Sequence, residues 1–248
     1  MQSTYHISHT SYPLLNLMRP VNCTMAGFAS LIGYFISYTF ILSPLTFYLT
    51  PLLVFFVVFL ITGAGNAIND FFDAEIDAIN RPNRPIPSGK ISKKNAKYFS
   101  IALFVLGIAL SYTISKIGFI IALFNSILLI YYSKKLKRTV LFGNIGIGYL
   151  VGSTFLFGGA VFGIEGIKVI SVLFLLSMLS TISREIVKDI EDLVGDRNLG
   201  AITLPVLYGN KKSAIIASIF GFIAVILSPL PYKDKELFSA SYILLNLV

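Results

Sequence analysis

The chain has 248 residues, is 55% hydrophobic and only 13% charged, and contains no tryptophan. Soluble domains carry about 25% charged residues, so a water-soluble globular class is excluded. The net charge is +8, but the basic residues are not gathered as a nucleic-acid surface: sixteen of twenty are Arg19 near the N-terminus or lie in the alternate loops at 69–97, 134–138 and 184–212, the positive-inside pattern of a multi-pass membrane protein.

In chain order, residues 2–11 are polar and lack the basic start and short apolar core of a signal peptide; His6 and His9 within them read as part of a terminal tail. We set residues 1–16 apart as a polar N-terminal segment and treat 17–248 as a single transmembrane domain. Apolar runs long enough to cross about 30 Å of hydrocarbon predict spans near 21–43, 46–68, 98–115, 117–133, 141–163, 167–188 and 213–230, with an eighth, short one from about 237. The fold class is therefore all-α, a polytopic transmembrane helical bundle in the cell membrane. Its N-terminus and basic loops face the cytoplasm, because only Lys116, Lys168, Lys233 and Lys235 lie in the other loops. Cys23 is the single cysteine and excludes an intramolecular disulfide.

The second span runs into NAINDFFDAEIDAINRPNRPIPSG, residues 66–89. Asn66, Asp70, Asp73 and Asp77 are spaced i, i+4, i+7, i+11, which places all four on one face of a helix. Glu185, Asp189, Asp192 and Asp196 repeat that spacing after the sixth span, and the match hints at a duplicated architecture with its site between the halves. Nine of the twelve acids fall in these two stretches. Clustered acids at a membrane boundary repel one another and mark function rather than surface. Dense oxygen ligands suit Mg²⁺, which binds through one or two carboxylates plus substrate phosphate. An ion pathway would instead spread its acids through membrane depth.

The prolines of Asn80–Gly89 predict a stiff loop that carries Arg81 and Arg84 back past the acids. Guanidinium forks suit diphosphate oxygens; Arg84 is favoured for that role, whereas Arg81 suits either phosphate or the acids. In Tyr131-Tyr132-Ser-Lys134-Lys135-Leu-Lys137-Arg138, one tyrosine would face the reacting carbon, and Lys135 or Lys137 a phosphate; Lys134 and Arg138 read as interfacial anchors. No nucleophile elbow, P-loop or dinucleotide fingerprint is present. Metal, diphosphate and a lipid-facing cavity together point to prenyl transfer.

These residues resemble the UbiA-type intramembrane prenyltransferases. Asn69-Asp70-x-x-Asp73-x-x-x-Asp77 is similar to their first signature, Asp192-x-x-x-Asp196 to their second, and Tyr131-x-x-x-Lys135 to their tyrosine–lysine motif. Arg19-Pro20-x-Asn22-Cys23, AINDFFDAEIDAINRPNRPIPSG, STFLFGG at 153–159 and REIVKDIEDLVGD at 184–196 are similar to the archaeal digeranylgeranylglyceryl phosphate synthases. The likeness covers residues 17 to about 230. It implies about nine spans around a central cavity open to the membrane, with Mg²⁺ as cofactor. It also implies geranylgeranyl diphosphate as donor and a lipid phosphate, geranylgeranylglyceryl phosphate, as acceptor; an aromatic acceptor is the alternative. Its implied metal set is Asn66, Asn69, Asp70, Asp73, Asp77, Asp189, Asp192 and Asp196. Asp73, Asp77, Tyr131, Asp192 and Asp196 would act in catalysis, with Asp77 a candidate proton acceptor. Asn22, Arg81, Arg84, Tyr132, Lys135, Lys137 and Lys188 would bind substrate.

Overall fold

The structure, a computed structural model, describes residues 12–41, 49–198 and 200–230. Among these residues the regular elements are all helical. They are α1 (Pro13–Met18), α2 (Pro20–Ile41), α3 (Thr50–Asn80), α4 (Lys93–Ile114), α5 (Lys116–Lys134), α6 (Phe142–Gly159), α7 (Gly163–Glu191), α8 (Leu193–Asn198), α9 (Leu204–Tyr208) and α10 (Asn210–Leu227). The seven long helices lie where the seven complete apolar runs are expected, and among the described residues six stretches, α6 and α7 together forming one, are long and apolar enough to cross a membrane. The eighth expected span, near 237, lies outside the described residues, as do His6 and His9.

α3 is the central element. Half of its apolar window is buried, against 17–28% in the other long helices. Its Val54, Val57, Val58, Ile61, Ala64 and Ile68 meet Leu103 and Phe104 of α4, Ala122 of α5 and Phe157 of α6. The outward faces stay apolar: Val21, Met25 and Phe28 of α2, Val105 of α4, Ile120 of α5, and Phe222 and Ile226 of α10 are exposed. A contiguous apolar surface of that kind belongs in lipid.

Apolar surface gives no net drive for helices to associate within lipid, so polar stitches and close packing hold the bundle. Ser100 Oγ donates to the Ala64 carbonyl at 2.8 Å, Ser183 Oγ to Ala217 at 2.8 Å, and Asn125 Nδ2 to Ser153 Oγ at 2.8 Å. Each such bond contributes about 0.6 kcal/mol. Where α2 crosses α6, a Cβ on Gly158 would overlap the Ser30 carbonyl, and one on Gly33 would overlap Phe155 backbone; the crossing exists because both are glycine.

The turns follow from local chemistry. Ser115, in extended backbone, ends α4 and caps α5: its Oγ accepts from Gly118 N at 3.3 Å and donates to the Ala160 carbonyl at 2.7 Å. α3 runs unbroken from the second span through the first acidic stretch to Asn80 and stops at Arg81 ahead of Pro82, Pro85 and Pro87. The loop that follows is a succession of turns, with Arg84 N on the Arg81 carbonyl at 3.0 Å and Ile91 N on the Pro85 carbonyl at 3.2 Å.

The second acidic stretch departs from the helical stripe its spacing predicts. α7 ends at Glu191, Asp192 is its C-cap at φ −87°, ψ 5°, and Asp196 sits on the separate α8. Asp192 at the break is exposed while Asp189 and Asp196 are half-buried, so the four acids do not share one helix face, and the shared spacing is not a shared geometry. α1 also crosses the boundary drawn at residue 17: it is a short helix against α3, with Leu17 fully buried.

Candidate active site

The first acidic stretch places its face as the spacing predicts, and cations from three other segments meet it. Asp70 and Asp77 are buried, at 3% and 6% exposure, while Asn66, Asn69 and Asp73 are half-buried. Arg84 Nη1 reaches Asp70 Oδ1 at 3.1 Å and Asp77 Oδ2 at 2.5 Å. Arg19 Nη2 lies 2.5 Å from the same Asp70 Oδ1. Lys137 Nζ lies 2.5 Å from Asp73 Oδ1 and 3.1 Å from Asn69 Oδ1, and Asn69 Nδ2 donates to Asp73 Oδ2 at 3.0 Å. Glu75 points the other way; its side chain is 90% exposed and pairs with Lys93 at 3.2 Å.

Two backbone features deliver those cations. Arg19 closes α1 at φ 55°, ψ 72°, left-handed backbone that costs a non-glycine residue about 1–3 kcal/mol; its reward is the guanidinium on Asp70. Lys137 sits on a 3₁₀ turn, Leu136–Arg138, pressed against the start of α6. A Cβ on Gly143 would stand 2.8 Å from the Leu136 carbonyl oxygen and 3.2 Å from Lys137 Cα, so glycine there lets the turn approach. Burial pushes the Lys137 ammonium below the usual lysine range, opposed by its hydrogen bond and ion pair with Asp73.

In the second stretch Glu185 pairs with Arg184 at 2.8 Å, whereas Asp189 and Asp196 are held by neutral donors. Asn144 Nδ2 donates to Asp189 Oδ2 at 2.8 Å, and Thr203 Oγ1 to Asp196 Oδ2 at 3.0 Å. Burial raises the Asp196 carboxyl, opposed by the Thr203 hydrogen bond. Asp189 lies within electrostatic reach of Asp196, and the Tyr132 hydroxyl within reach of Asp73 on α3 and of Glu185 and Asp189 on α7. Tyr132 on α5 is thus coupled electrostatically to acids of both stretches. The Lys137 turn is tied to the same side, since Ile202 N donates to the Arg138 carbonyl at 3.1 Å.

Several expected residues stand elsewhere. Of the tyrosine and lysine pairs, Tyr132 and Lys137 enter the site; Tyr131, at 51% exposure, and Lys135 face outward. Arg81 is exposed at the end of α3 and joins no ion pair with the acids, while Arg84 is taken up by Asp70 and Asp77 rather than held open. Asn22, Lys188 and Asp192 are exposed, and Lys188 lies 3.9 Å from Glu185. Asn66 donates to the Met18 carbonyl at 2.7 Å. The eight residues of the expected metal set thus do not converge as one cluster, and no three carboxylates do so among the described residues. Of the acids, Asp73 on α3 and Glu185 and Asp189 on α7 lie within electrostatic reach of Tyr132, and Asp196 within reach of Asp189.

Arg19, Asn144 and Thr203 were not singled out as site residues from sequence. Arg19 appeared only within a family-like string. Asn144 carried a faint signal, an amide in the first turn of an otherwise apolar span. Thr203, before Leu204-Pro205, reads only as a helix start.

Residues 26–248 match the model of the UbiA prenyltransferase family. The chain belongs to the UbiA prenyltransferase family. Digeranylgeranylglyceryl phosphate synthase of Methanococcoides burtonii is 57% identical over 227 residues, covering 90% of this chain and 81% of that protein. The synthase of Methanosarcina barkeri is 55% identical over 226 residues, covering 88% and 78%. A solved structure of digeranylgeranylglyceryl phosphate synthase in membranes has a TM-score of 0.79 at 49% identity, covering 90% and 78%. A UbiA homologue from Archaeoglobus fulgidus bound to DMAPP and Mg²⁺ has a TM-score of 0.74 at 20% identity, covering 87% and 76%, a likeness of fold. This UbiA chain is accordingly an intramembrane prenyltransferase, and its paired acidic stretches are the place to seek the chemistry.

Proposed function

We propose that this chain transfers a geranylgeranyl group from geranylgeranyl diphosphate to geranylgeranylglyceryl phosphate, forming the second ether bond of an archaeal membrane lipid. The observation that carries the reading is identity of 57% to a synthase of that name across 90% of the chain, a stretch that includes both acidic motifs and the turn bearing Lys137.

The reaction breaks the bond between C1 of the donor and its diphosphate oxygen, and the electron pair leaves with the diphosphate. The glycerol hydroxyl of the acceptor forms the new C–O bond, and its proton is lost to the departing diphosphate. Leaving-group charge is the main barrier, so preorganised positive groups are the main source of catalysis. Lys137 is such a group, already half-buried and fixed by Asp73 and Asn69. The Tyr132 ring, coupled to acids of both stretches, would stabilise an allylic cation at C1, on the order of 2 kcal/mol when desolvated. Asp77, considered above as proton acceptor, has one carboxylate oxygen committed to Arg84 and serves better as that arginine's anchor.

Mg²⁺ is the cofactor in this reading. Hard oxygen donors that offer one or two carboxylates each, rather than a full cage, fit an ion that keeps water and substrate phosphate in its shell. Asn69, Asp73, Asp189 and Asp196 would hold it, and when bound it neutralises diphosphate charge. The active site would face the cytoplasm, because the acidic ends share their side with the basic loops.

The test is a membrane assay with Mg²⁺ and labelled geranylgeranyl diphosphate, offering geranylgeranylglyceryl phosphate and 4-hydroxybenzoate in competition. Label is expected in the glycerol lipid. Label in the aromatic acid would overturn the acceptor and leave the prenyl transfer.

A further inference from the structure

We propose that Asn144 and Thr203 are positioning residues for the second acidic stretch, each fixing the orientation of one carboxylate, Asp189 and Asp196 respectively. The inference rests on the prenyltransferase reading and deepens it, because it says which acids of that stretch are held in place and what holds them there.

Three observations carry it. Both donors are buried, Asn144 at 6% exposure and Thr203 at 4%, and each spends its side chain on a carboxylate. A carboxylate only accepts, so the Asn144 amide must turn its NH₂ toward Asp189, which fixes the orientation of both groups. Thr203 is the N-cap of α9, where a threonine oxygen ordinarily accepts from the first helical turn. Here it makes no cap hydrogen bond and donates to Asp196 instead. Giving up a cap and burying an amide against an acid are local costs, and a site that requires two fixed carboxylates accounts for both.

The same residues explain why the broken α7–α8 junction still presents an organised pair. Asp192, at the break, is exposed. Asp189 and Asp196 on either side of it are drawn inward by donors from α6 and from the segment before α9. That segment is itself tied to the Lys137 turn through Ile202 N and the Arg138 carbonyl at 3.1 Å, and Ala201 N donates to the Asp196 carbonyl at 2.9 Å. The backbone from Arg138 to Thr203 thus keeps the second stretch in register with the lysine that pairs with the first.

The experiment uses the full chain in detergent and needs no acceptor. Its readout is the rise in Tm on adding Mg²⁺ with a non-reacting thio analogue of geranylgeranyl diphosphate. Partners that orient ligating side chains are each worth about 10–100-fold in metal affinity. Thr203→Val and Asn144→Leu are expected to raise the Mg²⁺ concentration giving half the Tm rise by about tenfold or more. Thr203→Ser, which keeps the hydroxyl, is expected to stay near the unaltered protein, and Asn144→Asp, a same-sized change that sets two acids together, to behave as Asn144→Leu does. Equal behaviour of the valine and serine variants would overturn the proposal. So would a lower ligand-free Tm with unchanged Mg²⁺ dependence, since that is what a merely structural role gives. A wrong acceptor leaves these results untouched; no Mg²⁺-dependent rise in the unaltered protein would overturn the donor reading and this inference together.

Discussion

The two acidic stretches share one spacing and are held in opposite ways. On α3 an unbroken helix carries Asp70, Asp73 and Asp77 into partial or full burial, where Arg19, Arg84 and Lys137 neutralise them. On α7 and α8 the helix breaks at Asp192, and Asp189 and Asp196 are met by an amide and a hydroxyl. The first stretch is thus closed upon cations of its own chain, while in the second Glu185 pairs with Arg184 at 2.8 Å and Asp189 and Asp196 are met by neutral donors.

The largest expected effect is on activity. Asp73→Asn removes the partner of Lys137 and an oxygen donor at once, and label transfer is expected to fall by at least about a hundredfold, measured as initial rate at saturating Mg²⁺. Asp189→Asn is expected to cost activity similarly but to leave Tm within about 1 kcal/mol of equivalent stability, because it removes a charge that has no cationic partner of its own.

Arg84→Met should separate the two stretches most clearly in stability. It leaves Asp77 buried without its ion pair and Asp70 with Arg19 alone, and removing one partner of a buried pair costs about 3–5 kcal/mol. A large fall in Tm is expected, relieved in part by adding Asp77→Asn. If Arg84→Met unfolds no more easily than Asp189→Asn, the first stretch is not the structural one of the two.

Gly143→Ala acts through the lysine. The new methyl meets the Leu136 carbonyl and Lys137 Cα, so the 3₁₀ turn must retreat and carry Lys137 from Asp73. A misplacement of about 1 Å can cost up to about a hundredfold. The expected loss here, read as kcat with donor KM little changed, is about tenfold.

How much of this was legible depends on which level fixes it. The seven long helices were visible because lipid imposes length and apolarity on each span separately. The α3 face was visible because four side chains on one helix need only periodicity. The break at Asp192 was not, since the same offsets continue past it and Gly195, the nearest residue that disfavours helix, lies within α8. Tyr132 over Tyr131, and Lys137 over Lys135, are choices of rotation about α5 and of the 3₁₀ turn after it, which no spacing within that segment settles. Asn144 and Thr203 owe their roles to partners 45 and 7 residues away; a lone amide or hydroxyl carries no mark of that in the chain.

Glu75 makes the smallest prediction and the cleanest control. By sequence it belongs to the first stretch, two residues from Asp73 and two from Asp77. By rotation about α3 it is excluded: its side chain is 90% exposed and its partner is Lys93, at 3.2 Å, on the first turn of α4. That lysine also lies 5.4 Å from the Phe71 ring centroid, so the pair belongs to the outer contact of α3 with α4. Exposed pairs of this kind contribute about 0–1 kcal/mol. Glu75→Gln is therefore expected to shift Tm by less than about 0.5 kcal/mol of equivalent stability and to leave the rate of label transfer and its Mg²⁺ dependence unchanged. A clear loss of activity in that variant would mean that acidity near α3's end, rather than one face of it, is what the chemistry uses, and the contrast between the two stretches would have to be redrawn.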